Sequence, residues 1–108
     1  MKPDRELLEL AARAAGIEIV EWSCIEESCD AIARLEDMRL HKWNPLTDDG
    51  DALRLAVKLR LGIGVTDGED GYAYAMKKNI MDCDETGEDC ESIRRAIVRA
   101  AAAIGETL

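Results

Sequence analysis

The side chains best suited to chemistry lie together between positions 43 and 51, where an aromatic ring and an amide precede several carboxylates. The candidate binding residues are Trp43, Asn44, Asp48, Asp49 and Asp51. Carboxylates repel phosphates, so a cation or a basic partner suits this group better than an anionic ligand does. A calcium loop would need oxygen ligands at alternating positions and a closing glutamate, which this segment lacks. The competing interpretation, which we favour, is structural: the ring anchors a turn while the polar groups cap a helix and bond local backbone.

The four cysteines show two wide spacings, Cys-x4-Cys for Cys24 and Cys29 and Cys-x6-Cys for Cys83 and Cys90. Structural zinc sites typically use short Cys-x2-Cys knuckles, and His41 is the only histidine in the chain. The N-terminus lacks the apolar core of a secretory signal, and the apolar content is high enough to form a core without disulfides. We therefore expect free thiols and no metal, with disulfide pairing and a four-thiolate zinc site as the alternatives.

No catalytic constellation stands out in the sequence, which has no phosphate-binding glycine loop, no Gly-x-Ser-x-Gly turn and no His-Glu-x-x-His helix. Tyr72 and Tyr74 share one side of a predicted strand, where sheet packing is a better explanation than stacking on nucleic-acid bases. Arg94, Arg95 and Arg99 form a short basic stripe, which we expect to pair with nearby acids, with a partner contact as the alternative. These patterns predict neither an enzyme nor a cofactor.

The composition is typical of a single globular domain. The 108 residues form one predicted domain, 1–108, and 47% of them are hydrophobic, which argues against intrinsic disorder. There are 14 Lys and Arg against 23 Asp and Glu, a net charge of −9, so phosphate backbones and anionic lipids would repel the chain. No apolar run approaches the roughly 20 residues that span a bilayer. We expect a cytoplasmic protein that binds neither a membrane nor, directly, nucleic acid.

The first and last predicted helices have the clearest helical period. Leucines and alanines recur at helical spacing from Asp4, the expected N-cap, to Ala15, and Gly16 supplies the stop. The last helix begins near Ile93 and places isoleucines and alanines on one face up to Gly105, the expected stop. The alanine-rich stripe of the first helix should pack closely, because alanine lets two backbones approach each other.

A further helix is predicted in the middle of the chain. Pro45 forces a turn, after which Thr47 or Asp48 caps the helix and Gly62 and Gly64 end it. Apolar residues cover more than half of its circumference, so we expect it to be packed on at least two sides.

Strands are predicted between these helices. We expect a strand over 17–25, a turn at 26–28 and a second strand over 30–35, with a short helix as the alternative for the last. A hairpin over 63–76 follows the middle helix. The segment 82–91 has six acids and no base, which is typical of a solvated loop. The order αββαββα predicts an α+β fold, with one mainly antiparallel sheet of about four strands and helices on its faces.

Three strings resemble one known family. The string WNPLTDDGDALRLAVKL at 43–59 resembles a segment of the phage ABA sandwich domain family, a group of small phage and prophage proteins. RRAIVRAA at 94–101 is similar to the helix that closes many of those proteins, and RELLELAA at 5–12 resembles their first helix. The resemblance implies a three-layer α/β/α sandwich in the cytoplasm of a host cell. It implies no activity, because the family's biochemical role is uncharacterised.

Three functions remain as hypotheses from the sequence. The first is a non-enzymatic phage or prophage accessory protein that binds a host or phage protein, with a homodimer as an open alternative. The second is an acidic mimic of nucleic acid, based on the net charge and on the acids of 82–91, which should lie in one surface stripe. The third is a small enzyme, which would need a deep pocket holding titratable groups with shifted pKa values.

Overall fold

The computed structural model describes residues 3–25, 28–35, 37–65, 73–77, 80–84 and 90–108. Its elements in chain order are α1 (Asp4–Ala15), β1 (Glu18–Ile25), β2 (Ser28–Arg34), β3 (Leu40–Trp43), α2 (Asp49–Leu59), β4 (Gly62–Val65), β5 (Ala73–Lys77), β6 (Ile80–Asp84) and α3 (Cys90–Glu106). The α+β class and the three helices agree with the prediction. The strands differ from the expected single sheet of about four, because they form two antiparallel sheets, β1-β2-β3 and β4-β5-β6.

The two strands absent from the predicted order are both sheet-edge strands. In β3 only Trp43 is buried, so the sequence there shows no apolar alternation. β6 lies in the segment predicted as an acidic loop, and its Asp82 pairs with Ala75 of β5. Edge strands tolerate charged residues because one side of the backbone ladder faces no other strand. The loop prediction for 82–91 is therefore wrong at both of its ends: 82–84 belong to β6, α3 begins at Cys90, and 85–89 lie outside the described residues.

The ends of α1 and α2 are set by backbone geometry as much as by side chains. The bounds of α1 are as predicted and Gly16 is left-handed with φ of 70°, but the N-cap is Pro3 and Asp4 is already helical. At α2 the prediction of Asp48 as cap is confirmed, since its carboxylate accepts from the backbone N–H of Asp51 at 2.8 Å. This helix ends because Arg60 adopts the left-handed conformation at φ 57°.

The expected glycine stops of α2 and α3 are wrong. Gly62 and Gly64 lie in β4, beyond the Arg60 cap. Gly105 is buried within α3, which continues to Glu106. A β-carbon on Gly105 would lie 2.8 Å from the carbonyl carbon of Leu10 in α1, and closer still to its oxygen. Gly105 is therefore a position of close helix contact and does not terminate the helix.

The core lies where α3 packs on α1, on α2 and on the second sheet. Much of it is alanine, and the largest fully buried side chains are Leu8, Pro45, Ile97 and Val98. Small side chains let the helices approach closely, which explains the alanine-rich stripes of α1 and α3.

The segment predicted as a strand over 30–35, or alternatively as a short helix, belongs to strand β2, which ends at Arg34. Among the described helices, none combines the length and apolarity that a membrane crossing requires.

Candidate functional site

The five predicted site residues lie along the β3–α2 junction. Trp43 ends β3 and is buried, and Asn44 is buried at the start of the turn that follows. Asp48 caps α2, while Asp49 and Asp51 occupy its first turn. The structure joins three of the five directly, because the backbone N–H of Asn44 donates to Asp51 Oδ2 at 3.0 Å and that of Asp51 donates to Asp48.

Asn44 is the centre of this hydrogen-bond network. Its Oδ1 accepts from the backbone N–H of Leu46 at 3.1 Å, which closes the turn. Its Nδ2 donates to Asp30 Oδ1 at 2.7 Å and so ties the turn to β2. With the bond from its backbone N–H to Asp51, Asn44 connects the first sheet, the turn and α2.

The carboxylate of Asp51 is buried and has a partner on each oxygen. Oδ2 accepts from Asn44, and Oδ1 accepts from a terminal nitrogen of Arg54 at 2.7 Å. No buried side-chain nitrogen or oxygen within the described residues lacks a hydrogen-bond partner. The described residues likewise contain no group of three or more carboxylate, thiol or imidazole side chains placed to hold a metal. This arrangement supports the structural interpretation of the junction over a cation site.

Asp49 faces away from this network, towards α3. It pairs with Arg94, whose Nε also donates to the carbonyl oxygen of Leu46 at 2.9 Å. Arg95 lies 3.5 Å from Asp4 of α1. For these two arginines the expected pairing with acids is confirmed, so they act as links between elements and leave little of the predicted basic stripe free for a partner.

Two carboxyl groups of the first sheet have shifted pKa values, Asp30 beside the junction and Asp37 in the β2–β3 turn. The Asn44 amide holds the pKa of Asp30 below its usual value, Lys42 adds to this effect, and burial opposes it. The backbone N–H of Arg39 lowers the pKa of Asp37, and His41 adds to that effect. Both shifts favour the ionised form. Neither group therefore resembles a general acid, which needs a raised pKa.

Sheet packing was predicted for Tyr72 and Tyr74, and the structure describes Tyr74. Tyr74 lies in β5 opposite Gly64, and its ring fills the space above that glycine, where a β-carbon would come within 2.6 Å of the hydroxyl oxygen. This agrees with sheet packing. Tyr72 lies outside the described residues.

The expectation of free thiols is wrong for two of the four cysteines. Cys24 of β1 and Cys29 of β2 form a disulfide, with their Cα atoms 4.0 Å apart. They pair because the two strands place them directly opposite each other in the hairpin register. Cys90 is a free, exposed thiol at the start of α3, and nothing is described of the Cys83 side chain. The disulfide uses two of the four thiolates that the alternative zinc site would have needed.

A groove beside the junction is a feature that the sequence did not predict. It has a volume of about 820 Å³ and lies between the end of α1, the first sheet and α2. Buried Trp43 and Leu55 line it, and the outward-facing Leu53 and Val57 of α2 also contribute. The exposed fractions of these two are 56% and 69%. Helical periodicity could not find this groove. The apolar residues around most of the circumference of α2 predicted that the helix is packed on at least two sides, and the period does not show that Leu53 and Val57 face water.

Met38 stands at the same groove, on the turn between β2 and β3. Its side chain is 69% exposed and its φ is 65°, the left-handed conformation that non-glycine residues adopt at a cost. Backbone bonds between Leu35 and Arg39 and from Met38 to Leu35 hold the turn in place. An apolar side chain is thus held in water by a strained but well-bonded turn, a combination that is common at functional positions.

The groove differs in charge from the rest of the chain. Its charged lining residues are Glu18, Arg34, Asp37, Arg54 and Lys58. Three are basic and two acidic, a local balance of +1 against −9 for the whole chain. Arg34 lies 3.4 Å from Glu18, so part of this charge is internally compensated.

Comparison with family models, with curated proteins and with solved structures gives no match for this chain. The resemblance to phage ABA sandwich proteins therefore depends on the three strings alone. The groove, the junction and the charges around them are the observations that bear on the function of this chain.

Proposed function

We propose that this chain is a small non-enzymatic binding protein whose groove holds an apolar segment of a partner protein. The observation that carries the proposal is the exposure of three apolar side chains, Met38, Leu53 and Val57, around one groove of about 820 Å³. Apolar side chains that cluster at a groove lose water when a partner covers them, and such patches commonly mark interaction sites.

The chemistry of the groove favours a protein segment. Methionine adapts its shape to different apolar surfaces and is frequent at protein-binding sites. The groove is open along α2, so a helix or an extended strand can lie beside Leu53 and Val57. Arg34, Arg54 and Lys58 give the groove more basic than acidic lining residues, although Arg34 and Arg54 also contact Glu18 and Asp51, so an acidic partner meets less repulsion here than the net charge of −9 would suggest. The proposed occupant is therefore an apolar segment flanked by acids.

The family and the cellular location are proposed from the sequence resemblance. We infer a member of the phage ABA sandwich domain family, with its three-layer arrangement, acting as a phage or prophage accessory protein in the host cytoplasm. This part of the proposal stands independently of the groove, because the groove residues Met38, Leu53 and Val57 would present the same surface in any family.

The alternatives have less support. Many described acids have basic partners, which weakens the case for a continuous acidic stripe that mimics nucleic acid; the pairs are Arg5–Glu9, Arg34–Glu18, Lys42–Asp30, Arg54–Asp51, Arg94–Asp49 and Arg95–Asp4. For an enzyme, the shifted pKa at the groove is that of Asp37, and it is shifted downwards. A homodimer that forms through the groove would be recognised by self-association of the wild type that Val57→Asp abolishes.

The proposal is tested by affinity capture from a host-cell lysate with three variants. Val57→Asp places a charge in the groove, and Met38→Gly removes an exposed side chain from a left-handed position that glycine adopts easily. The matched control is Val65→Asp, which makes the same change on β4, where Val65 is 40% exposed and does not line the groove.

The expected result is a protein captured by the wild type and by Val65→Asp but lost with Val57→Asp and reduced with Met38→Gly. Capture should weaken with rising salt, because acidic flanks contribute to binding. Equal capture by all four chains would contradict the proposal. Self-association of the wild type that Val57→Asp abolishes would replace the partner protein with a second copy of the chain.

A further inference from the structure

The β1–β2 hairpin has an outer part that the rest of the fold does not support. Pairing of β2 with β3 begins at Ala31, opposite Trp43, so the residues before Ala31 are bonded on one side only. The hairpin tip is defined here as 24–25 with 28–29, and its described exposed residues include Ile25, which is 73% exposed. Two-stranded ribbons without a third strand or a core are marginally stable in water.

The base of the hairpin tip is firmly attached. Trp22 is half-buried and lies under the guanidinium of Arg5 in α1, with 4.8 Å between the guanidinium carbon and the ring centre. On the other strand Asp30 accepts from Asn44 and lies 3.1 Å from Lys42. Anything that loosens the tip should therefore act between these anchors and leave the rest of the fold in place.

We propose that the Cys24–Cys29 disulfide is a reversible redox site that locks the hairpin tip. The two residues are directly paired in the hairpin, and Cys24 is exposed to attacking thiols. This inference rests on the host cytoplasm of the proposed function, a reducing compartment where disulfides are rare and those that form are usually transient, catalytic or redox-sensing. The site would take a dithiol protein or a small dithiol as its reductant.

The exchange balances without any further co-reactant. A thiolate of the dithiol attacks one sulfur of the Cys24–Cys29 bond, which gives a mixed disulfide and releases the other cysteine as a thiolate. The second thiol of the reductant then attacks the mixed disulfide. Two electrons and two protons pass to Cys24 and Cys29, which become thiols, and the reductant becomes a disulfide. A disulfide oxidant such as oxidised glutathione reverses the sequence.

Reduction removes the Cys24–Cys29 bond across the tip. Its described residues then keep their ladder pairing with each other, while Trp22 and Asp30 hold the base. We expect amide hydrogen exchange in 24–25 and 28–29 to become at least about tenfold faster, with no change in α1 or α3, because local opening needs no global unfolding.

The test combines peptide mapping with hydrogen exchange on the full chain. After treatment with oxidised glutathione, digestion after Glu26 and Glu27 should leave two peptides joined through Cys24 and Cys29. Exchange is then compared with and without a dithiol reductant. Cys24→Ser with Cys29→Ser should show the fast tip exchange without reductant, whereas the control Cys90→Ser should respond to reductant as the wild type does.

Each other outcome overturns the proposal. Absence of the joined peptides after oxidation would mean that the pair does not form. Unchanged exchange on reduction would mean that the bond locks nothing. Faster exchange throughout α1 and α3 would make the disulfide a structural staple of the whole domain. Failure of oxidised glutathione to restore slow exchange would exclude a reversible site.

Discussion

The backbone N–H of Asn44 donates to the carboxylate of Asp51 across seven positions of sequence, at 3.0 Å and in a buried setting. This bond fixes the angle between the first sheet and α2, because Asn44 follows β3 directly and Asp51 lies in the first turn of the helix. Three of the five candidate binding residues, Asn44, Asp48 and Asp51, are therefore bonded to one another. These bonds link the start of α2 to the turn after β3, and the outer face of α2, with Leu53 and Val57, borders the groove.

Removal of the Asp51 carboxylate should destabilise the fold. Asp51→Ala leaves the buried N–H of Asn44 without its acceptor, which costs about 1–3 kcal/mol in the free energy of unfolding. For a domain of this size each kcal/mol lowers Tm by about 4–8 °C. Asp51→Asn keeps one acceptor oxygen and should lose less. Glu9→Gln, at an exposed pair with Arg5, should change stability by less than about 0.5 kcal/mol. Thermal and urea unfolding measure these differences, and equal losses for Asp51→Ala and Glu9→Gln would contradict the role given to Asp51.

The Asp30 carboxyl should make stability depend on pH in the acid range. Hydrogen bonding to Asn44 lowers its pKa in the folded state below the usual value of an aspartate. A lowered folded-state pKa means that the contribution to stability is complete above the unfolded value and is lost as the pH falls through the folded value. The stability difference between the wild type and Asp30→Asn should therefore be largest near neutral pH and shrink in strong acid. Urea unfolding at a series of pH values gives this difference, and a constant difference would show that Asp30 is not the titrating group.

Gly105→Ala should destabilise the α1–α3 contact more than a typical core change. Its β-carbon would meet the backbone of Leu10, which cannot rotate away as a side chain can. Overpacking of this kind costs about 1–3 kcal/mol, and backbone clashes belong at the upper end. Gly62→Ala is the control, since the nearest atoms to its β-carbon would be those of Met76 at 3.6 Å and 3.7 Å, which are ordinary van der Waals distances. We expect that control to be near neutral in thermal unfolding. A Gly105→Ala variant as stable as the control would refute the close contact.

Features that depend on residues close together in the sequence could be predicted, and features that depend on distant residues could not. The start of α2 was predictable, because Asp48 and the backbone N–H that it caps are three residues apart. Gly16 and Gly105 look alike in sequence, yet only Gly16 ends a helix, and the neighbouring Leu10 backbone that explains Gly105 is distant in sequence. The acids of β6 resemble a loop because its pairing with β5 depends on backbone groups that every residue has.

The candidate site shows the same division. Sequence reasoning found the polar residues of the junction and the structural interpretation that the hydrogen bonds support. It could not find the groove, because whether Leu53 and Val57 face another element or water depends on what α2 packs against. The Cys24–Cys29 pair was equally hidden, since it needs the exact hairpin register to bring the two residues opposite each other.

The most direct measurement of the central claim is site-specific photocrosslinking in host cells. A photoreactive phenylalanine derivative is placed at Val57, on the rim of the groove, and in a second chain at Val65, which is exposed but does not line it. If the groove holds a partner protein, we expect a discrete crosslinked protein, different from the chain itself, at position 57 and none at position 65. The crosslinked peptide should be apolar with acidic flanks. The same products at both positions, or none at position 57, would contradict the claim that the groove holds a partner protein.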